Sequence, residues 1–218
     1  MINFNQLYDY VSHNNLLTNY QSGFRALHST VTSLLNFIDK WRFSNDKGQI
    51  NGVVFVDLKK AFDTVDHSIL LSKMKRYGLN KLTLRYFRSY LENRCQSRFV
   101  NDHLSHKLPV NCGVPQDLTL GPLLFFIFIN DLPNCFNTGT AAMYADDTIV
   151  TFNAVDTANL QSQMNTELVN LDNWLIANKL LLNVSKTKFM LVCLHLEDLH
   201  YFLQNISLAL RLCGVHLI

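Results

Sequence analysis

Ala141-Ala142-Met143-Tyr144-Ala145-Asp146-Asp147-Thr148-Ile149-Val150-Thr151-Phe152 is the stretch that decides the fold. Two runs of small, β-branched and aromatic residues flank a short polar break, which reads as a β-hairpin with Ala145-Asp146-Asp147-Thr148 as its connection. Working outward, Val53-Val54-Phe55-Val56 is a buried-looking strand that stops at Asp57, and Arg98-Phe99-Val100 and Thr187 to Val192 are further strand candidates. Helical spacing lies between them. One helix, capped by Ser29, carries Leu34, Leu35, Ile38 and Trp41; a second, capped by Asp66, is expected to bury Ile69, Leu70, Met74 and Tyr77. A third runs through Leu84, Phe87 and Leu91, and a longer one through Leu160, Met164, Leu168, Leu171 and Leu175. Helices alternating irregularly with a hairpin predict an α+β fold built on an antiparallel sheet.

The composition supports a well-filled core. Of 218 residues, 48% are hydrophobic and 17% charged, which excludes disorder, collagen and coiled coil as descriptions of the whole chain. No repeat and no Pro- or Ser-rich linker divides it, so one compact domain is expected. Five cysteines, at 95, 112, 135, 193 and 213, make an odd number without a CxxC pair. Reduced, mostly buried thiols follow, with no disulfide-linked partner and no zinc site. The N-terminus shows no secretory leader, and the longest apolar run, Leu118 to Ile129, is shorter than the ~20 residues a bilayer requires. An intracellular protein, nuclear or cytoplasmic and not secreted, with no membrane partner, is therefore expected.

The net charge of +2 hides an asymmetry. Between Lys73 and Arg98 eight cations stand against Glu92 alone, a local charge of +7, which leaves −5 for the remainder. A cationic segment of this kind suits phosphate contacts, with helix solvation as the alternative account.

The acidic residues have a different distribution. Asp57 ends a strand, and Asp146 and Asp147 sit side by side in a turn. Adjacent carboxylates repel, and a hard divalent cation with oxygen ligands neutralises them. If the two strands are neighbours, Asp57 and Asp146 stand a few ångströms apart, as two-metal phosphoryl transfer requires. Taken by spacing alone, a solvated Asp-Asp turn explains the same residues.

The wider context narrows the choice. Phe55-Val56-Asp57-Leu58-Lys59-Lys60-Ala61-Phe62-Asp63-Thr64-Val65-Asp66-His67, Gly113-Val114-Pro115-Gln116, Leu120-Gly121-Pro122-Leu123-Leu124-Phe125 through Ile129-Asn130-Asp131-Leu132-Pro133, and Tyr144-Ala145-Asp146-Asp147-Thr148 resemble, in order, the successive signature motifs of reverse transcriptases. The resemblance is to those of jockey-like non-LTR retrotransposons in particular. Gln21-Ser22-Gly23-Phe24-Arg25 with Ser29-Thr30, and Leu182-Asn183-Val184-Ser185-Lys186-Thr187-Lys188, resemble the flanking blocks of the same family. The resemblance spans residues 5–192 as the reverse transcriptase domain; residues 193–218 read as a divergent tail in which Leu212 to His216 echoes the family's primer-grip region.

That resemblance implies a polymerase palm with partial fingers and no thumb, acting as an RNA-directed DNA polymerase with two Mg²⁺ ions, for which Mn²⁺ can substitute. RNA template, DNA primer and dNTPs are the implied partners. Asp57, Asp146 and Asp147 would be the acidic metal residues, with the Leu58 carbonyl as a further ligand. Phe62 would lie under the incoming sugar and exclude a ribose 2′-hydroxyl, Gln116 would contact the nascent pair, and Lys186 would approach the pyrophosphate as general acid. Residue by residue, a core phenylalanine and a solvated strand-end lysine remain the plainer accounts of Phe62 and Lys186. Lys81, Arg85, Arg88 and Arg94 would grip nucleic acid without sequence preference.

Just after Gln116 the chain departs from the pattern. Where the family has Gly-Ser, this chain has Asp117-Leu118, which adds a Cβ and a negative charge where a triphosphate must approach. A truncated or catalytically impaired element copy that keeps the fold, and with it some nucleic-acid binding, is the alternative this departure raises.

Overall fold

A computed structural model describes residues 2–23, 29–115, 120–192 and 216–217. In chain order its main elements are α1 (Ile2–His13), α2 (Thr30–Asp46), β1 (Ile50–Val56), α3 (His67–Arg76), α4 (Lys81–Leu91), β2 (Arg94–Gln96), β3 (Phe99–Val100), β4 (His103–Leu104), β5 (Leu108–Val110), α5 (Leu120–Ile129), β6 (Thr140–Tyr144), β7 (Asp147–Ala154), α6 (Thr157–Ala177), β8 (Lys188–Val192) and β9 (His216–Leu217). Two compact units form, one from Met1–Leu17 with Lys60–Ile129, the other from Thr18–Lys59 with Asn130–Ile218. Sequence alone reads as one domain because the chain passes between units at Leu17-Thr18, Lys59-Lys60 and Ile129-Asn130, where no Pro, Gly or Ser cluster marks a boundary.

The sheet unit is a five-stranded sheet in the order β6-β7-β1-β8-β9. All its pairs are antiparallel except β8 with β9, which run parallel. The hairpin is tighter than expected. Tyr144 pairs with Asp147, so the connection is Ala145-Asp146 alone and Asp147 and Thr148 already belong to β7. Helix α6 packs on β1 and β7, burying the stripe Leu160, Met164, Leu168, Leu171 and Leu175 that its spacing predicts. Its buried Glu167 accepts from the N–H groups of Asn137 and Thr138 and from the Thr138 hydroxyl, holding the turn before β6.

Helix α2 starts where expected, with Ser29 and Thr32 forming a reciprocal capping box. Its buried face is different. Phe37 is buried and Trp41 donates its Nε1–H to Thr151 Oγ1 at 3.3 Å, whereas Leu34, Leu35 and Ile38 are exposed. Apolar residues occupy more than half of the helix circumference, so spacing alone does not say which edge meets the sheet.

In the other unit, α5 is apolar all round and buried all round; every residue except Pro122 is enclosed. Its C-terminal carbonyls need donors, and Lys73 supplies one, with Nζ 2.6 Å from the Phe128 carbonyl. Lys73 is 7% exposed, so it leaves the cationic surface that the charge count assigned it to. Helix α1, which sequence patterning did not anticipate, buries Leu7 and Val11, and its Tyr10 hydroxyl donates to the Tyr77 carbonyl at 2.9 Å. The expected faces of α3 and α4 hold in part: Leu70, Met74, Phe87 and Leu91 are buried, whereas Ile69, Tyr77 and Leu84 are only half-buried.

Residues 94–110 form a two-step ribbon. β2 pairs with β5, and β3 with β4 across Asn101-Asp102. Both turn residues have positive φ, +49° and +61°, which Asn and Asp tolerate and which matches the right-handed twist of a hairpin. Cys95 and Cys112 are exposed and Cys135 is half-buried, all three free. The expectation of mostly buried thiols therefore fails for the first two, because ribbon and loop residues have no core behind them. Cys193 and Cys213 lie outside the described residues. Among the described residues no helix is long and apolar enough to cross a membrane.

Candidate active site

The strand end at Asp57 is held by the segment that precedes β8. The Asp57 N–H donates to Thr187 Oγ1 at 3.2 Å. Its carbonyl accepts from the Asn183 N–H at 2.8 Å, and the Lys59 N–H donates to the Leu181 carbonyl at 2.8 Å. Leu58, buried, bridges Leu182. Through this backbone zipper the Leu182 to Lys188 block fixes the chain on both sides of Leu58.

The β1–β7 register pairs Val56 with Thr148. Continued by one residue, it sets Asp57 opposite Asp147, with Asp146 next along in the turn. The electrostatics agree. The Asp147 carboxyl is pushed above its ordinary range by partial desolvation, and further by the negative charges of Asp146 and Asp57, while the Lys186 ammonium lowers it. Four residues singled out from sequence thus share one electrostatic neighbourhood. Among the described residues no three His, Cys, Asp or Glu side chains make a ready-built metal cage. The donor set nonetheless suits a hard cation that keeps much of its water and takes few protein ligands, as Mg²⁺ does.

The turn is held from behind by Gln21, which the sequence marks only as part of a flanking block. Gln21 is 3% exposed. Its Oε1 accepts from the Ala145 N–H at 3.0 Å, and its Nε2 donates to the Ala145 carbonyl at 3.1 Å. No periodicity marks such a contact, because the partners are 124 residues apart.

The other candidates belong to the helical unit. Phe62 is half-buried and stacks on Phe125, ring centroids 4.3 Å apart. Its carbonyl accepts from the Val114 N–H at 2.8 Å, which ties it to the Gly113-Val114-Pro115 block. Gly113 has φ +87°, and a Cβ there would meet the Asp63 carbonyl oxygen at 2.8 Å, so glycine is required. Gln116, Asp117 and Leu118 lie outside the described residues, as do Phe24 and Arg25.

Lys81, Arg85 and Arg88 lie on one exposed side of α4, with Arg88 3.9 Å from Glu92. Arg94 is half-buried in β2. Its charge lowers the Tyr90 hydroxyl pKa, but desolvation is the larger effect and leaves Tyr90 raised. A polar cleft of about 390 Å³ beside these residues is lined by Arg88 and Asn93 together with Asp66, His67 and Ser68.

Residues 3–216 match the profile of the family described as reverse transcriptase (RNA-dependent DNA polymerase). The chain belongs to the reverse transcriptase family. A probable RNA-directed DNA polymerase from transposon BS of Drosophila melanogaster is 30% identical over 208 residues, covering 89% of this chain and 22% of that protein. The RNA-directed DNA polymerase from the mobile element jockey of the same species is 33% identical over 141 residues, covering 65% of this chain and 15% of that protein. This reverse transcriptase domain therefore spans under a quarter of the length of these relatives. Among solved structures, telomerase from Candida albicans, in complex with a TWJ fragment of telomeric RNA, superposes with a TM-score of 0.63 at 15% identity. That match covers 88% of this chain and 35% of the telomerase chain and establishes a shared fold. The expected α+β fold with its antiparallel sheet and the expected membership of the reverse transcriptase family both hold, and the mobile-element relatives agree with the expected resemblance.

Proposed function

We propose that this domain performs Mg²⁺-dependent, RNA-templated transfer of deoxynucleotides to a primer 3′-end. The observation that carries the proposal is the β1–β7 register, which ends at Val56 opposite Thr148 and so brings Asp57 to the strand end beside Asp147 and the Asp146 turn; the Asp147 carboxyl is raised by desolvation first and by the charges of Asp146 and Asp57 next. Asp57 and Asp146 would hold the ions, with the Leu58 carbonyl and Asp147 beside them. Bound there, two Mg²⁺ ions supply activation of the primer hydroxyl and neutralisation of the leaving pyrophosphate. Lys186, whose charge lowers the Asp147 pKa, would deliver a proton to the leaving group. Phe62 would select against a ribose 2′-hydroxyl, and Gln116 would contact the nascent pair. Lys81, Arg85, Arg88 and Arg94 would track the phosphate backbone of template or primer.

Primer extension on an RNA template with Mg²⁺ tests this reading, with RNA binding measured in parallel. Asp146→Asn is expected to abolish extension while leaving RNA binding intact. Asp117→Gly is expected to raise extension, because it removes a Cβ and a negative charge from the approach of the triphosphate. RNA binding without extension in both the natural chain and Asp117→Gly would leave a nucleic-acid-binding domain and defeat the catalytic proposal.

A further inference from the structure

Ala145 is the first residue of the two-residue turn that presents Asp146, and it has φ +57°. For a residue with a Cβ this conformation is strained and persists only when the surroundings hold it. The two-residue hairpin turn requires positive φ at this position, and the Gln21 side chain holds the turn there. Its side-chain amide meets both the N–H and the carbonyl of Ala145, at 3.0 and 3.1 Å, and Oε1 accepts a second N–H, from Gly23, at 2.8 Å. The amide orientation is fixed by these partners, since rotating it would set its NH₂ against two N–H donors.

The main chain on either side reinforces the contact. The Met143 N–H donates to the Tyr20 carbonyl at 2.7 Å and the Ser22 N–H to the Met143 carbonyl at 2.8 Å. Gly23 completes it: a Cβ there would stand 2.5 Å from the Ala145 nitrogen, so only glycine permits the approach. The Gln21-Ser22-Gly23 block is thus built around one peptide unit of the turn.

We propose that Gln21 is a positioning residue for metal binding: by clasping the peptide of Ala145 it fixes the turn and so sets where the Asp146 and Asp147 carboxylates stand. The proposal rests on the metal site of the previous subsection, and two independent readouts separate their failures. Hydrogen–deuterium exchange over residues 141–149 reports the clasp, and Mn²⁺ titration followed by electron paramagnetic resonance reports the site.

Gln21→Met keeps length and burial but removes all three hydrogen bonds. It is expected to speed exchange across the turn and to weaken Mn²⁺ binding on the order of tenfold, the lower end of what losing a ligand-orienting group does to metal affinity. Gln21→Glu keeps both N–H acceptors and is expected to leave the turn better protected than Gln21→Met does. Ala145→Gly, which accepts positive φ without strain, should change Mn²⁺ affinity little by itself and restore part of the loss in the Gln21→Met background.

Unaltered exchange over 141–149 in Gln21→Met overturns the clasp. A lowered melting temperature with Mn²⁺ affinity unchanged, or no recovery on adding Ala145→Gly, reduces Gln21 to a packing residue and overturns the positioning role. Mn²⁺ binding that is indifferent to Asp146→Asn defeats the metal site itself, and the exchange result then still decides the clasp.

Discussion

The main-chain N–H of Asp57 donates to the Thr187 hydroxyl across 130 residues of sequence, at 3.2 Å. Thr187 is 1% exposed, so its hydroxyl is a built part of the sheet unit rather than a surface group. Thr187→Val keeps the shape and removes the acceptor, leaving the Asp57 N–H without it. The expected loss is about 1–3 kcal/mol of stability, read from urea denaturation, and Thr187→Ser should retain most of it. Equal stability of the valine and serine variants would show that the hydrogen bond is not what holds the strand end.

Asp147 gives a pH prediction whose sign is opposite to that of a salt-bridged carboxylate. Its folded pKa is raised, through desolvation first and the charges of Asp146 and Asp57 next. The ionised form is therefore disfavoured in the fold, and the penalty is absent at low pH, grows as pH rises through the carboxylate range, and is complete above the folded pKa. In chelator, Asp147→Asn is expected to melt higher than the natural chain at neutral pH, with the gap closing on acidification. Mg²⁺ should narrow the gap at neutral pH by neutralising the cluster. A gap that persists unchanged at low pH would contradict this origin.

Cys135 is expected to be the least reactive of the three described thiols. Burial raises its pKa, and with the nearby Glu167 charge brings it to about 12. The thiolate, which is the nucleophile, is therefore scarce at neutral pH. Iodoacetamide labelling of the folded chain followed by peptide mass spectrometry should modify the exposed Cys95 and Cys112 first and Cys135 only after denaturation.

Lys73 and the α4 cations separate by what their removal changes. Lys73→Met takes away the donor to the Phe128 carbonyl and is expected to cost about 1–3 kcal/mol of stability, with RNA affinity and its salt dependence unaltered. Neutralising Lys81, Arg85 and Arg88 together should do the reverse, lowering the slope of log affinity against log salt by roughly 0.7 per lost phosphate contact on single-stranded RNA. Equal salt slopes for the triple variant and the natural chain would assign the α4 face to solvation alone.

Local patterns announced most of the elements. Ser29 and Asp66 cap helices where their spacing requires, and the stripe from Leu160 to Leu175 faces the sheet, because capping and amphipathicity are properties of neighbouring residues. Spacing does not say which edge of α2 is buried, and the structure exposes Leu34, Leu35 and Ile38 while burying Phe37. The charge count placed Lys73 among the surface cations, because charge says nothing about which carbonyl a long side chain reaches.

By itself the sequence determined the chemistry available to this reverse transcriptase domain: three aspartates at strand ends, a lysine after the last long helix, a cationic helix face and the order of the motifs that carry them. Only the tertiary structure decided that the β1–β7 register brings the strand ends of Asp57 and Asp147 side by side, that Thr187 accepts from the Asp57 N–H, and that Gln21 hydrogen-bonds the turn. The reason is physical. Residue type and spacing fix what a side chain can do, whereas contacts spanning 130 and 124 residues exist only once the strands have chosen their register and the backbone groups at their ends have found partners.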